Sequence, residues 1–299
     1  MYDRLSVSGI LRGIGGALAH ARLSLVALAM VLHLVGLVIT GERWRVVIAA
    51  LGSPLPLHRT TLINLAGIFV RNTTPTTGLG GDASRVALLR AEGVPLARAT
   101  ASFAYVRLAE VPPLGLIVAL TAPAVATLLS RSKTSLIVSA GALALAAVVF
   151  WCARQRLRAQ VTSIWLRSAH LRIDRTAASL AVFYATLAQM ETLARQIVIA
   201  AAFGMPLTIE QSATVTAMTI AGGLVPTVGS IGAIDGSMVA GLMVFGASAQ
   251  TAVAMTIVGR AISYALSTAA GAVALAVLGG PSLVRAVMRT ASDPESAAG

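Results

Sequence analysis

Charge is scarce in this sequence: 11% of its 299 residues are Asp, Glu, Lys or Arg, against 57% that are hydrophobic, and the mean hydropathy is +0.83. Soluble domains carry about 25% charged residues, so a soluble globular enzyme is excluded and a polytopic membrane protein is implied. Cysteine is almost absent. Cys152, the only thiol, can close no disulfide within the chain and build no cysteine-rich metal site. Lys133 is the only lysine, so the formal charge of +12 is carried by arginine at the ends of apolar runs and in one block from Arg154 to Arg175. That distribution lacks the solvated basic domain a nucleic-acid binder needs. The four histidines, His20, His33, His58 and His170, are dispersed, and no HExxH, GxSxG or phosphate-binding loop occurs. No cofactor, no metal and no ATP hydrolysis are therefore expected, and no catalytic motif is found.

Apolar runs are what the sequence has in place of these. Leu23 to Thr40 is followed by GERWR rather than by a small-residue cleavage site, and so reads as a retained span, not a signal peptide. Residues 1–22, with Arg4, Arg12 and Arg22, read either as an interfacial helix or as an extension of the first span. Further apolar stretches cover 60–74, 97–129, 134–152, 177–203, 212–225 and 248–280, giving one transmembrane domain over 23–280 and a polar tail over 281–299. Two Gly/Pro/Thr-rich breaks, 75–82 and 226–236, are each followed by a short segment, 83–92 and 237–246, too short to cross a bilayer. A re-entrant hairpin explains both, because irregular backbone at that depth is tolerated where protein or a cavity surrounds it.

The breaks belong to an internal repeat. ERWRVVIAALGSPL (42–55) set over ARQIVIAAAFGMPL (194–207) gives seven identities in fourteen, among them Arg43/Arg195, Gly52/Gly204 and Pro54/Pro206. Pro75 then pairs with Pro226 and Gly78 with Gly229. After a two-residue insertion the pairing continues through Asp82/Asp235, Gly93/Gly246 and Arg107/Arg260. The copies run over about 42–129 and 194–280. If 60–92 returns to its own side and 97–129 crosses as one kinked helix, the loop 41–59, the turn 93–96 and the basic loop 153–175 share a face. That face collects Arg43, Arg45, Arg59, Arg90, Arg98 and six further arginines, and is cytoplasmic by the positive-inside tendency. The expected fold is an all-α polytopic membrane protein of two inverted repeats, each with a re-entrant broken-helix hairpin, and a cytoplasmic C-terminus. Splitting 97–129 at Pro112–Pro113 into two spans is the alternative; it keeps the repeat and changes its symmetry.

Ionisable groups within apolar helices call for a partner or a function. Arg107 and Arg260 each follow their matched glycines by fourteen residues, which puts both near mid-membrane. Two readings of the pair stand: binding of an anionic ligand, or a structural tie to an acid or a helix C-terminus, with Glu110 one turn from Arg107. Asp82 and Asp235 read as helix N-caps, or as counter-ions or proton carriers opposite those arginines. Arg71 and Arg85 flank the first break without counterparts in the second. Thr76, Thr77, Gly78, Thr227, Gly229 and Ser230 supply hydroxyls and small residues that could meet a headgroup. Glu191 and Arg195, spaced i, i+4, read as a self-satisfying pair, and His33 as a packed core histidine.

These residues in this order resemble the lysylphosphatidylglycerol synthase transmembrane family: Arg43–Trp44, PTTGLGGDASR at 75–85, Arg107, PTVGSIGAIDGS at 226–237 and Arg260. The resemblance covers roughly 25–280. It implies a membrane fold with re-entrant segments and the transfer of aminoacylated or otherwise modified anionic lipids between leaflets. The family's arginine–tryptophan element usually follows one more span than is found here, and the aminoacyltransferase domain is not found before Gly299, so lipid synthesis by this chain is not expected.

Three functions follow as expectations. The first is a flippase or transporter for an anionic or phosphate-bearing, aminoacylated or glycosylated lipid in a bacterial inner membrane. The second is a non-catalytic partner that recruits a separate synthase or glycosyltransferase through 153–175, a block that also suits binding of anionic lipid heads. The third, a membrane lipid transferase, lacks a nucleophile–base pair.

Overall fold

The computed structural model describes residues 7–74, 79–131, 171–223 and 232–279, and every regular element among them is a helix. In chain order these are α1 (Val7–Ala19), α2 (Leu23–Ala50), α3 (Leu57–Thr73), α4 (Leu79–Ala91), α5 (Leu96–Ala109), α6 (Val111–Arg131), α7 (Arg175–Ala202), α8 (Ile209–Gly222), α9 (Ala233–Val244), α10 (Ala249–Arg260) and α11 (Ser267–Val277). A π-helical turn, Ala261–Leu266, joins α10 to α11.

The outer surface is unusually apolar for a protein folded in water, and several charged and polar side chains are buried beside the apolar cores. Leu28, Met30, Val31, Leu34, Val35 and Val38 of α2 and Phe183 and Leu187 of α7 are exposed, while Arg43, Asp82, Arg85, Asn64, Gln196 and Ser212 are buried. Large apolar residues facing outward, with charged groups held inside, suit hydrocarbon as the surrounding solvent. Among the described residues three stretches are long and apolar enough to cross a membrane: Leu23–Ala50, Leu96–Thr121 and Ala249–Val277. The protein is membrane-embedded.

The expected span 177–203 is helical over Arg175–Ala202 but is not one of those three. Its apolarity is diluted by Glu191, Arg195 and Gln196. A second correction concerns 41–59, expected as a loop. α2 continues through GERWR to Ala50, because Arg45 is satisfied by Glu42 on the same helix and Arg43 is buried against Glu110. Arg43 therefore contributes nothing to a count of solvated flanking charge. The breaks are also shorter than expected, since α4 begins at Leu79 and α9 at Ala233. Gly236, the last residue of the expected second break, lies inside α9. The N-terminal segment is a separate helix, divided from α2 at His20–Arg22.

The aligned segments adopt the same series of elements. A 28-residue helix comes first in each, α2 and α7. It ends at Gly52 (φ +80°) or Gly204 (φ +72°), left-handed positions that glycine reaches without steric cost. At both, the glycine N–H bonds back three residues and the next N–H five, to Ala49 and Ile48 or to Ala201 and Ala200, which is the Schellman closure. A helical hairpin follows, α3–α4 or α8–α9. It closes at Gly93 or Gly246 with the same bond pattern and leads into α5 or α10.

The described residues fall into two compact units, one drawn from Met1–Val35, Pro113–Arg156 and Gln189–Ser263, the other from Gly36–Pro112, Leu157–Ala188 and Tyr264–Gly299. In the second, called the α3–α5 unit, α4 packs on α3 and α5, and α11 packs on α3. Glycines permit the approach: Gly67 and Gly81 face each other across α3 and α4, and Gly271 of α11 lies against Leu65 O and Phe69. Trp44, Ile48, Ile63, Leu88 and Leu89 form its core. In the other, the α8–α10 unit, α9 packs on α8 and α10, and α1 packs on α10. Ile199, Val215, Leu242 and Met255 are central to its core.

Candidate functional site

Each unit holds an Asp–Arg ion pair made from the same two elements. In the α3–α5 unit, Asp82, in the first turn of α4, accepts from Arg107 Nη2 at 2.8 Å through Oδ2 and from Arg85 Nη1 at 2.7 Å through Oδ1. In the α8–α10 unit, Asp235, in the first turn of α9, accepts from Arg260 Nε and Nη2. Both pairs are separated by 25 residues in sequence. Each arginine lies in the last turn of its helix, α5 or α10, and each aspartate in the first turn of the helix before it, where the dipole favours an anion. Of the two readings offered from sequence, the aspartates take the counter-ion position rather than the N-cap. Both lie inside the first helical turn, and Asp235 additionally accepts from the Gly232 N–H at 3.2 Å.

Around this shared pair the units differ. In the α3–α5 unit the chain of bonds extends: Arg107 Nη1 donates to Glu110 Oε2 at 3.0 Å, and Glu110 Oε1 accepts from Arg43 Nη2 at 2.8 Å. Arg43, Arg85 and Arg107 therefore share two carboxylates. A fourth cation, Arg71 at the end of α3, is exposed, lies within electrostatic range of Arg107, Asp82 and Glu110, and makes no ion pair with a described residue. Four positive charges against two negative ones leave a surplus of two. Arg85 is buried at 5% exposure and its Nε lacks a partner among the described residues, as does Nε of Arg43. Arg107 is the open member: its side chain is 37% exposed, with its guanidinium 5.4 Å from the centre of the Phe103 ring.

In the α8–α10 unit the two arginines of this region are each matched by an acid instead. Arg195 Nε donates to Glu191 Oε1 at 2.8 Å, the i, i+4 pair expected from sequence. Ser212 and Thr216 both donate to Oε1 of buried Gln196, at 2.8 and 3.1 Å. Arg195, Gln196, Thr216 and Arg260 line a cavity of about 300 Å³ within this unit.

Of the residues singled out in the sequence, Asp82, Arg85, Arg107 and Glu110 come together in one network with Arg71 beside it, and Asp235 joins Arg260. Thr76, Thr77, Gly78, Thr227, Gly229 and Ser230 lie outside the described residues, as do 153–170 of the basic loop, the expected span 134–152 and the tail 281–299. Sequence reasoning missed Arg43 as a network member, although its alignment with Arg195 was a signal, since each of the two binds a glutamate. It also missed the Gln196–Ser212–Thr216 cluster, which no spacing rule marks. No group of three or more His, Cys, Asp or Glu that could hold a metal occurs among the described residues.

A family model described as the lysylphosphatidylglycerol synthase TM region matches residues 10–271. The chain belongs to this family. Membership ties it to membrane-lipid synthesis or flipping. No curated protein and no solved structure matches the chain.

Proposed function

We propose that this family member moves a phosphate-bearing lipid between leaflets. The observation that carries the reading is the repeated Asp–Arg pair, set in both units at the same two helix ends and joined, in the α3–α5 unit, by two surplus positive charges. An arginine partly neutralised by a carboxylate can exchange that partner for a phosphate at little net cost, because the charge-assisted bonds lost are replaced in kind. Arg71 and the open side of Arg107 are the groups that receive the headgroup first. Arg85 and Arg43 stay buried and hold Asp82 and Glu110 in place. Acyl chains remain in the hydrocarbon against the apolar outer faces of α2 and α7.

Two inverted repeats with re-entrant hairpins would supply alternating access, one repeat rocking against the other. The matching element series and closing glycines support this reading. A cytoplasmic C-terminus in an inner membrane follows from the arginines that remain flanking, Arg45, Arg59, Arg90 and Arg98.

The test is transfer of fluorescent phosphatidylglycerol, a polyprenyl-phosphate sugar and phosphatidylcholine in liposomes holding the purified protein. Faster movement of a phosphate-bearing lipid than in empty liposomes supports the reading and ranks the substrates. No acceleration of any of the three by folded protein would remove it, in favour of a partner that recruits a separate lipid-modifying enzyme.

A further inference from the structure

The cavity of the α8–α10 unit is lined by Ile199, Ile220, Ile234 and Met238 together with amides, hydroxyls and two arginines, and is open on part of its boundary. Its two cations are both paired within the chain, Arg195 with Glu191 and Arg260 with Asp235, so it offers no surplus charge. Its hydroxyls are committed as donors. Thr219 gives its proton to Val215 O and Ser263 to Gly259 O, each at 2.7 Å, and Thr216 gives its proton to Gln196 Oε1. A hydroxyl whose proton is spent presents lone pairs, which accept from a ligand O–H and repel a phosphate or carboxylate oxygen. Donors remain on the amides and on the Nη groups of Arg195, whose bond to Glu191 is made through Nε. Gln196 Oε1 is taken by two hydroxyls, which fixes the amide orientation and leaves Nε2–H as the group it can offer; neither Gln196 Nε2 nor the Gln189 amide has a partner among the described residues.

From this pattern we infer that the cavity binds a neutral, hydroxyl-rich headgroup of a lipid, either a glycerol or a single sugar ring. Such a group both donates and accepts at each hydroxyl, whereas an anion only accepts. The size agrees: about 300 Å³ is at the lower end of the roughly 300–1,000 Å³ typical of small-ligand sites, room for a glycerol or one ring. This deepens the lipid-transfer reading and rests on it for the bearer, a lipid. It divides the labour between the units, phosphate on the Arg71–Arg107 side and hydroxyls in this cavity.

The experiment is equilibrium binding of three dioctanoyl lipids to purified protein in detergent: monoglucosyl diacylglycerol, phosphatidylglycerol and phosphatidic acid, which carry a sugar, a glycerol and no headgroup hydroxyl. Wild type is compared with Thr219→Val/Ser263→Ala, which deletes two acceptors at nearly constant volume, and with Gln189→Leu at a half-buried position. The expected result is a loss of about 10- to 30-fold for the glucosyl lipid or for phosphatidylglycerol, from two hydrogen bonds. Phosphatidic acid changes by less than about twofold, and Thr219→Ser/Ser263→Thr restores binding. Which hydroxylated lipid suffers identifies sugar or glycerol. Equal losses for all three lipids, losses for none, or no binding of either hydroxylated lipid to wild type would overturn the inference. Hydroxyl-dependent binding without transfer by wild type would sustain this site and sink the transfer reading. Transfer without hydroxyl-dependent binding would do the reverse.

Discussion

Replacing Asp82 with asparagine removes one charge and almost no volume, at a point where two arginines converge. Asp82 and Arg85 side chains are 11% and 6% exposed, and their 2.7 Å bond is the ion pair Arg85 makes. Breaking a buried pair by deleting one partner costs about 3–5 kcal/mol, mostly because the other charge is stranded. Asparagine keeps one acceptor oxygen, and Arg107 keeps Glu110, so the lower end, about 3 kcal/mol, is expected. The matched change Asp235→Asn strikes a pair whose side chains are 29% and 28% exposed, where screening reduces the loss to about 1 kcal/mol. Unfolding in mixed detergent micelles, with SDS as denaturant, reads both. A further comparison isolates the cause: Asp82→Asn/Arg85→Met removes the stranded cation and is expected to recover part of the loss. Equal costs at Asp82 and Asp235, or a double variant less stable than Asp82→Asn alone, would refute the reasoning.

Three other outcomes follow. Gly81→Ala places a Cβ 2.6 Å from Arg71 Cβ and 2.7 Å from Gly67 O, so the α3–α4 crossing must open; the same unfolding assay should register about 1–3 kcal/mol. Gly204→Ala meets nothing within 4 Å but forces a left-handed φ of +72° on a residue with a side chain, and the expected cost is about 1–2 kcal/mol with no change in lipid binding. Arg71→Gln removes an exposed cation that makes no ion pair with a described residue, so unfolding should be unchanged while affinity for anionic lipid in nanodiscs falls and becomes less sensitive to salt.

The helices were legible because apolar runs of this length have few other solutions, and the turns because Gly52, Gly93, Gly204 and Gly246 recur at matched positions. GERWR was read as a loop because a cluster of charge usually lies in water. Here Glu42–Arg45 pairs along the helix, and Arg43 finds its acid 67 residues away, a contact no local pattern encodes. The alignment of Asp82 with Asp235 and of Arg107 with Arg260 put all four at one offset and offered the aspartates as counter-ions beside the N-cap reading; the choice between the two is a tertiary fact. Glu110 was legible as a partner because it is one turn from Arg107, and Asp82 as a counter-ion because it recurs with Arg107 at the repeat offset. The cavity was invisible because its lining is shared among α7, α8, α9 and α10 and the π-helical turn, through residues that look like ordinary helix surface.

The measurement that bears most directly on the repeated pair is lipid transfer by Arg107→Ala/Arg260→Ala beside wild type, in liposomes where the folded fraction of each is determined. If the pairs handle the headgroup, the double variant loses transfer of the phosphate-bearing lipid while remaining inserted and folded. Transfer at the wild-type rate by the folded double variant would contradict that account and leave the arginines as structural ties alone.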